Sequence, residues 1–317
     1  MKDDLTYEVI EVLKEAGFIV SERSNAKSFD VAARRDDLIL LVKVLYNIDS
    51  LNEEVARSMN KLAVCLNASP IIVGQRKSDG FLEDSVVYYR YGIPVVNVVT
   101  LYNYFVKNEY SYVYSAPGGL YVNIDEEAMR EARMRKNLSL GDIAIELGVS
   151  RRSVQKYEDG EMSATIDIAL KLEDILEVSL IEPLDILKRD FEELPSDRIE
   201  VYEPYSSFER HVLMMIRSIG FDVFTTAHAP FSAISQLERE KIKILTGIDR
   251  YTKRMIKRAK IVSSLSEVMR TKSVFVVNGN VKYKQIDNTV LMEKEELSHI
   301  KDVDEFTVVM EEKMKSK

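Results

Sequence analysis

Residues 138–160 read Leu-Ser-Leu-Gly-Asp-Ile-Ala-Ile-Glu-Leu-Gly-Val-Ser-Arg-Arg-Ser-Val-Gln-Lys-Tyr-Glu-Asp-Gly. Ser139 is a helix-capping residue type, and the apolar period after it predicts a helix over Leu140–Leu147 that ends at Gly148. Ser150 caps the next helix, Arg151–Tyr157, which stops at Asp159-Gly160. Ala144 is small enough for the two helices to cross closely, and Gly148 supplies the positive φ of a tight inter-helix turn. Val154 returns as a core residue and sets the rotation of the second helix. That rotation turns Ser150, Arg151, Arg152, Gln155 and Lys156 outward together. A short helix with Arg, Gln and Lys on one face fits the major groove of double-stranded DNA, where Arg pairs with guanine and Gln with adenine. Ser139 and Ser150 set backbone N–H groups where phosphates lie, and Lys136 adds a cation beside them. Outward from this pair, one helix follows Asp125-Glu126-Glu127 with Met129, Ala132 and Arg133. Another is read from Ser163 with Ile168, Leu172, Ile175 and Leu176, and a fifth over Pro183–Lys188.

Composition frames this reading. Of 317 residues 46% are apolar and 30% charged, which excludes a disordered chain and supports two or three folded domains. The longest apolar runs, such as Leu38 to Val42, are too short to span a membrane, as is Val274 to Val277, and Met1-Lys2-Asp3-Asp4-Leu5 is no secretory leader. Cys65 stands alone, and His211, His228 and His299 are scattered, so neither a disulfide nor a zinc site is expected. The expectation is a cytoplasmic protein with no membrane attachment, metal or cofactor. The net charge of −8 opposes nucleic acid only as an average, because Met129 to Lys156 carries seven basic residues against three acidic ones.

Two stretches punctuate the chain, Ser115-Ala116-Pro117-Gly118-Gly119 and residues 191–204 through Pro195-Ser196-Asp197 to Pro204. They set the expected domains at 1–115, 122–189 and 206–317. The outer two share a pattern. Each opens with an amphipathic helix ending at Gly-Phe: Val9, Val12, Leu13 and Ala16 precede Gly17-Phe18, and Phe208, Val212, Met215, Ile216 and Ile219 precede Gly220-Phe221. A strand follows, then a strand pair, Phe29–Ala33 with Leu38–Val44 and Phe231–Ile234 with Lys241–Leu245. Next come a charged helix (Leu51–Cys65; Tyr251–Met269) and a buried strand (Ile71–Val73; Val274–Val277). A last strand and helix close each part, Val95–Val98 then Leu101–Val106, and Val290–Met292 then Glu295–Ile300. The common order α-β-β-β-α-β-β-α predicts two α/β domains, duplicated in pattern rather than in residues, around an all-α bundle.

At residues 138–160 the chain resembles the Cro and repressor, or Xre, type of helix-turn-helix. Leu138-Ser139, Ile143-Ala144, Leu147-Gly148-Val149-Ser150, Val154 and Tyr157-Glu158-Asp159-Gly160 carry the likeness, which extends over about Asp125 to Leu187. The resemblance implies DNA binding, with Ser150–Tyr157 as the recognition helix. Leu140 departs from it, standing where a polar, phosphate-touching residue is common. The outer parts resemble the restriction-endonuclease-like, PD-(D/E)xK fold. In that fold an Asp on one strand and a (D/E)xK triplet on the next hold Mg²⁺ and activate water. Asp30 and Lys43 take two of those places, but the triplet reads Leu41-Val42-Lys43. In the last part Ser232 replaces the Asp, and residues 241–247 contain no acid. The resemblance therefore implies an inactive nuclease scaffold with no catalytic or metal-binding residues. The whole arrangement resembles archaeal helix-turn-helix transcriptional regulators.

Arg250, Lys253, Arg254, Lys257, Arg258 and Lys260 are read on one helix with no acid between them, as non-specific phosphate contacts or as a solvated face in equal measure. Ser111-Tyr112-Val113-Tyr114-Ser115 alternates as a strand or hairpin rather than a base-stacking surface, and Cys65 reads as a small core residue. His211 and His228 have no carboxylate partner evident in the sequence. The expected function is sequence-specific binding of double-stranded DNA by a homodimeric transcriptional regulator, non-catalytic, with the transcription machinery as a further partner. Two alternatives stay open. One is a structure-specific nuclease or nuclease-derived DNA-processing factor. The other is a protein-bridging or antitoxin-like module, for which the net −6 of residues 121–190 speaks.

Overall fold

The computed structural model describes residues 2–187, 206–226, 228–237 and 242–315. The chain begins with α1 (Lys2–Glu15), β1 (Ile19–Val20), β2 (Val31–Arg35), β3 (Leu38–Asn47), α2 (Glu53–Leu66), β4 (Ser69–Lys77), β5 (Gly80–Phe81), β6 (Val86–Arg90), β7 (Ile93–Val96) and α3 (Val98–Tyr102). It continues with β8 (Val113–Ala116), β9 (Gly119–Ile124), α4 (Glu126–Arg135), α5 (Leu140–Leu147), α6 (Arg151–Glu158), β10 (Ala164–Thr165), α7 (Ile166–Leu176) and β11 (Ile181–Glu182). The last stretch holds α8 (Ser207–Ile219), β12 (Asp222–Thr225), β13 (Ala233–Leu237), β14 (Ile242–Arg250), α9 (Lys253–Val268), β15 (Lys272–Asn278), β16 (Gln285–Ile286), β17 (Thr289–Glu293), α10 (Lys294–His299) and α11 (Val303–Lys315). Two compact units result, one of Leu45–Ser50 with Ile72–Lys188, the other of Lys2–Val44, Leu51–Ile71 and Arg189–Lys317.

In the second of these units the opening half of the repeated pattern, α-β-β-β-α, exists twice as structure. β1, β2 and β3 pair antiparallel, as do β12, β13 and β14, and β14 continues through parallel pairs to β15 and β17. The equivalence holds residue by residue. Asp30 N–H donates to Val42 O, and Val44 N–H donates to Asp30 Oδ2; Ser232 N–H donates to Thr246 O, and Ile248 N–H donates to Ser232 Oγ. Ser232 thus stands in the place of Asp30, and Gly247 in the place of Lys43. α2 and α9 match likewise. Asn52 and Thr252 cap them by accepting from Val55 and Met255 N–H, and burial repeats at 55, 59, 62, 63, 65, 66 and at 255, 259, 262, 263, 265, 266. The lobes also hold each other in a reciprocal way. Arg34 of β2 donates to Val268 O at the end of α9 (2.7 Å), and Lys243 of β14 donates to Cys65 O at the end of α2 (2.6 Å). Each cation satisfies a terminal carbonyl that its helix leaves without an internal partner.

The other unit joins a sheet to the helical bundle. β7 pairs in parallel with β4 and antiparallel with β6, which runs parallel to β8. β9 pairs antiparallel with β8, β10 and β11. The stretch read as a first linker is therefore a hairpin, with Ala116 opposite Gly119 and Gly118 at φ +101° between them. The alternation of residues 111–115 does form its first strand, β8. The fourth helix starts at Ile166 under a Thr165 cap rather than at Ser163, because Ala164 and Thr165 pair with β9 and Ser163 Oγ accepts from the Tyr114 hydroxyl. No fifth helix forms over 183–187: Ile181 and Glu182 pair with β9, and Leu184 N–H donates to Ser111 O (2.7 Å). Arg250 ends β14 and is not on the helix that follows. The stretch 191–204 and Lys241 lie outside the described residues. Among the described residues no helix is long and apolar enough to cross a membrane.

Gly247 tests the repeat. A Cβ there would overlap the ring of Phe275, which is fully buried. Gly247→Ala is expected to lower stability by about 1–3 kcal/mol. Denaturant unfolding measures it, and an unchanged midpoint would contradict the close approach of Phe275.

Candidate nucleic-acid interface

Local chemistry fixes the two central helices. Ser139 Oγ accepts from Asp142 N–H (3.1 Å) and Asp142 Oδ2 from Ser139 N–H (2.7 Å), a capping box that starts α5. Gly148 ends it in the left-handed region (φ +70°, ψ 30°), and Val149 N–H returns to Ala144 O. Ser150 Oγ accepts from Ser153 N–H (3.0 Å) to start α6. Ile143, Ala144, Leu147 and Val154 are buried in one core with Leu172 and Leu176 of α7. This packing leaves Ser150, Arg151, Arg152 and Gln155 exposed and Lys156 half-buried on one side of α6. Among the described residues the side chains of Arg151, Arg152, Gln155 and Lys156 make no hydrogen bond or ion pair.

The opposite end of α6 is pinned. Glu158, 6% exposed, accepts from Arg133 through both oxygens, Nε to Oε2 at 2.7 Å and Nη2 to Oε1 at 2.7 Å. Arg130 adds contacts to Glu158 Oε1 (3.3 Å) and Glu158 O (3.1 Å). Arg133 beside Glu158 holds its carboxyl below the usual range, against the opposing effect of burial. Gly160 follows at φ +69°, where a Cβ would overlap the Glu126 carboxylate. Lys136, expected at phosphate, is drawn to the end of α7 instead, with Nζ at 3.0 Å from Ile175 O and 2.9 Å from Glu177 Oε1. Ser139 is exposed on α5, its Oγ serving as the cap. The structure thus gathers five of the seven expected residues on one face.

The nuclease-like positions are arranged otherwise. Asp30, 3% exposed, has Lys2 Nζ at 2.8 Å from Oδ1, and Lys43 Nζ at 3.3 Å and Val44 N at 2.8 Å from Oδ2. Burial pushes the Lys43 ammonium below its usual value despite Asp30. Leu41, in the acid's place, is fully buried. In the second lobe Arg258 turns inward. Its Nε donates to Pro230 O (2.6 Å), Nη1 to Asp249 Oδ2 (3.2 Å) and Nη2 to Ser232 Oγ (3.4 Å), and Cζ lies 5.6 Å above the Phe275 ring. Arg250, Lys253, Arg254, Lys257 and Lys260 remain exposed. His228, which had no evident partner, meets Glu54 Oε1 at 3.0 Å. Among the described residues no group of three or more His, Cys, Asp and Glu is placed to hold a metal ion.

Residues 129–182 match the helix-turn-helix family, and residues 2–111 match the PD-(D/E)XK superfamily domain. A protein of Methanococcoides burtonii, named "Putative HTH-type transcriptional regulatory protein", is 46% identical to this chain, covering 99% of it and 98% of the relative. Proteins with that name from Methanosarcina mazei (47% identical, 98% of each chain) and Archaeoglobus fulgidus (41%, 96% of each) are similar over the same span. The chain belongs to this archaeal family of HTH-type transcriptional regulatory proteins. No solved structure matches it at a significant level. The regulator carries a PD-(D/E)XK superfamily domain at its start and an Xre-type helix-turn-helix in its middle, followed by a further α/β lobe. Its second lobe lies beyond both family matches, yet the relatives share it over nearly their full length.

Sequence reasoning missed Lys2, which is remote from Asp30 along the chain, and the inward turn of Arg258. It also passed over the Glu158–Arg133 fork, which yields a prediction. Glu158→Ala leaves the half-buried Arg133 guanidinium with Leu138 O as a remaining partner and is expected to cost about 1–3 kcal/mol. The native carboxyl is lowered, so its contribution is complete above the ordinary glutamate value of 4.5 and is lost as pH falls through the folded value below that. Thermal melts across pH 3–7 should show the wild type losing its advantage over the variant only on the acid side. An equal gap at every pH would refute the ion-pair account.

Proposed function

We propose that the regulator binds double-stranded DNA sequence-specifically as a homodimer, reading bases with α6 and performing no catalysis. The observation that carries this is the set of unpaired polar side chains on α6, Arg151, Arg152, Gln155 and Lys156, in a bundle whose Arg130, Arg133 and Lys136 are all engaged internally. The net charge of the bundle is an average that the α6 face does not share, and several of its acids are engaged internally. Glu158 neutralises Arg133, Asp125 and Asp142 cap helices, and Glu173 Oε1 accepts from Leu180 and Ile181 N–H (2.6 and 3.0 Å). Ser150 and Ser139 present helix N-termini to the phosphates. Lys136 joins them by exchanging Glu177, whose side chain is 78% exposed, for phosphate. One short helix reads few base pairs, so a two-fold dimer doubles the site. In this reading base recognition belongs to residues 122–189, with the transcription machinery as a further partner of the protein.

Arg151→Ala with Arg152→Ala is expected to weaken operator binding by roughly 1–3 kcal/mol per lost base contact. The operator comes from selection out of a random duplex pool, and a titrated mobility shift gives the affinities. Unaltered binding by the double variant would remove α6 as the reading face.

The PD-(D/E)XK match favours a second reading, a metal-dependent nuclease. Against it, Lys2, Lys43 and the Val44 N–H already satisfy both Asp30 oxygens, and Leu41 fills the place of the second carboxylate. Plasmid and branched DNA incubated with the regulator and Mg²⁺ are expected to stay intact. Cleavage that disappears in Asp30→Ala would establish the nuclease instead.

A further inference from the structure

The exposed face of α9 carries a run of cations. Lys253, Arg254, Lys257 and Lys260 are exposed along it, and exposed Arg250 precedes it. The nearest acid, Asp249, does not offset them: Arg258 turns inward to its Oδ2, and its Oδ1 accepts from Arg250 N–H. From Lys253 to Lys260 the stripe is about 10 Å long, which spans roughly three phosphates of one DNA strand.

The duplication supplies an internal control for this charge. α2 occupies the same place in the first lobe, with the same kind of cap and the same buried positions. Its first turn carries Glu53 and Glu54, as a helix N-terminus favours, and Arg57 pairs with Glu53 at 2.7 Å. At the equivalent positions α9 carries Lys253, Arg254 and Lys257 and has no acid in its first turn. Cations there oppose the helix dipole and repel each other across one turn. The fold works with acids at this position, so folding does not call for the reversal. A polyanionic partner does.

We propose that the α9 face, through Lys253, Arg254, Lys257 and Lys260, is a second DNA contact that grips the phosphate backbone without regard to sequence. Duplex DNA is preferred over an acidic protein because the other unpaired cationic face, α6, serves the same polyanion. The inference rests on the preceding section only in taking duplex DNA as the ligand. Base reading belongs to α6, and affinity independent of sequence belongs to α9.

The test uses the full chain with Lys253→Gln, Arg254→Gln and Lys257→Gln together, and separately Lys253→Glu with Arg254→Glu. Binding to a selected operator and to an unrelated duplex is titrated from 50 to 300 mM salt. The Gln triple is expected to lose tenfold or more in affinity for both duplexes, keep its ratio between them, and flatten the salt dependence by about 2–3 in slope. The Glu pair is expected to bind still more weakly while melting at or above the wild-type temperature, since it restores the charge that α2 carries. Unchanged affinity and slope in the Gln triple would overturn the proposal. So would a loss found only together with a lowered melting temperature, or one confined to the operator. The α6 double variant keeps the two readings apart. If it binds unchanged while the α9 triple fails on every duplex, the base-reading assignment falls and the backbone grip stands.

Discussion

The orientation of α6 depends on one ionic fork, half-buried Arg133 against buried Glu158. A hydrophobic contact such as Val154 sets which side of a helix faces the core but allows it to slide and tilt. Two parallel charge-assisted hydrogen bonds do not, because both guanidinium N–H groups and both carboxylate oxygens must align at once. The pair sits at the C-terminal end of α6, while Ser150 fixes the N-terminal end through its cap. Between these points the helix that carries the exposed side chains is held at both ends. A buried ion pair is a poor source of stability, since desolvation offsets most of its attraction. Its value here is geometric.

In the nuclease-like lobes charge-assisted hydrogen bonds engage the groups at the start of a strand rather than the end of a helix. An Asp at the start of a strand remains useful to a metal only while its oxygens are free. In the first lobe Lys2 and Lys43 bring ammonium groups to Asp30, and Leu41 packs where a second carboxylate would stand. In the second lobe the carboxylate is gone, Gly247 leaves room for the Phe275 ring, and Arg258 lies over that ring to reach Ser232 and Asp249. Both sites are filled by the chain's own cations, through different residues. The lobes share a reciprocal tie, Arg34 to the end of α9 and Lys243 to the end of α2.

Much of this was legible in the sequence because it is local. Cap residues, the Ala144–Gly148–Val154 spacing and the strand runs each act within a turn or two, and the helix-turn-helix and the duplicated order follow from them. The departures arise where a distant strand competes for the backbone. Pro183–Leu187 has a helical composition, yet β9 takes Ile181 and Glu182 and Ser111 O takes the Leu184 amide. Ser163 looks like a cap, but Tyr114 reaches it from another strand. Pro117-Gly118 signals a turn correctly; whether the chain leaves or returns there depends on β6 offering β8 an edge. The direction of a long cation is likewise decided by its surroundings. Arg258 and Lys257 are neighbours of one type, and only the presence of Asp249, Pro230 O and Phe275 on one side separates an inward group from an exposed one.

A net charge of −8 is therefore a weak guide to what this regulator binds. Acidic side chains reach their own backbone easily, since a carboxylate can cap a helix or hold a turn, as Asp125, Asp142, Glu173 and Asp49 do here. Each such carboxylate is counted in the net charge but presents less of it to solvent. Arginine and lysine have no acceptor and need a carbonyl, carboxylate, hydroxyl or aromatic face as an internal partner. Those left over project outward. On α6 and on α9 these surplus cations gather, and a polyanion meets the local field of those faces rather than the average over the chain.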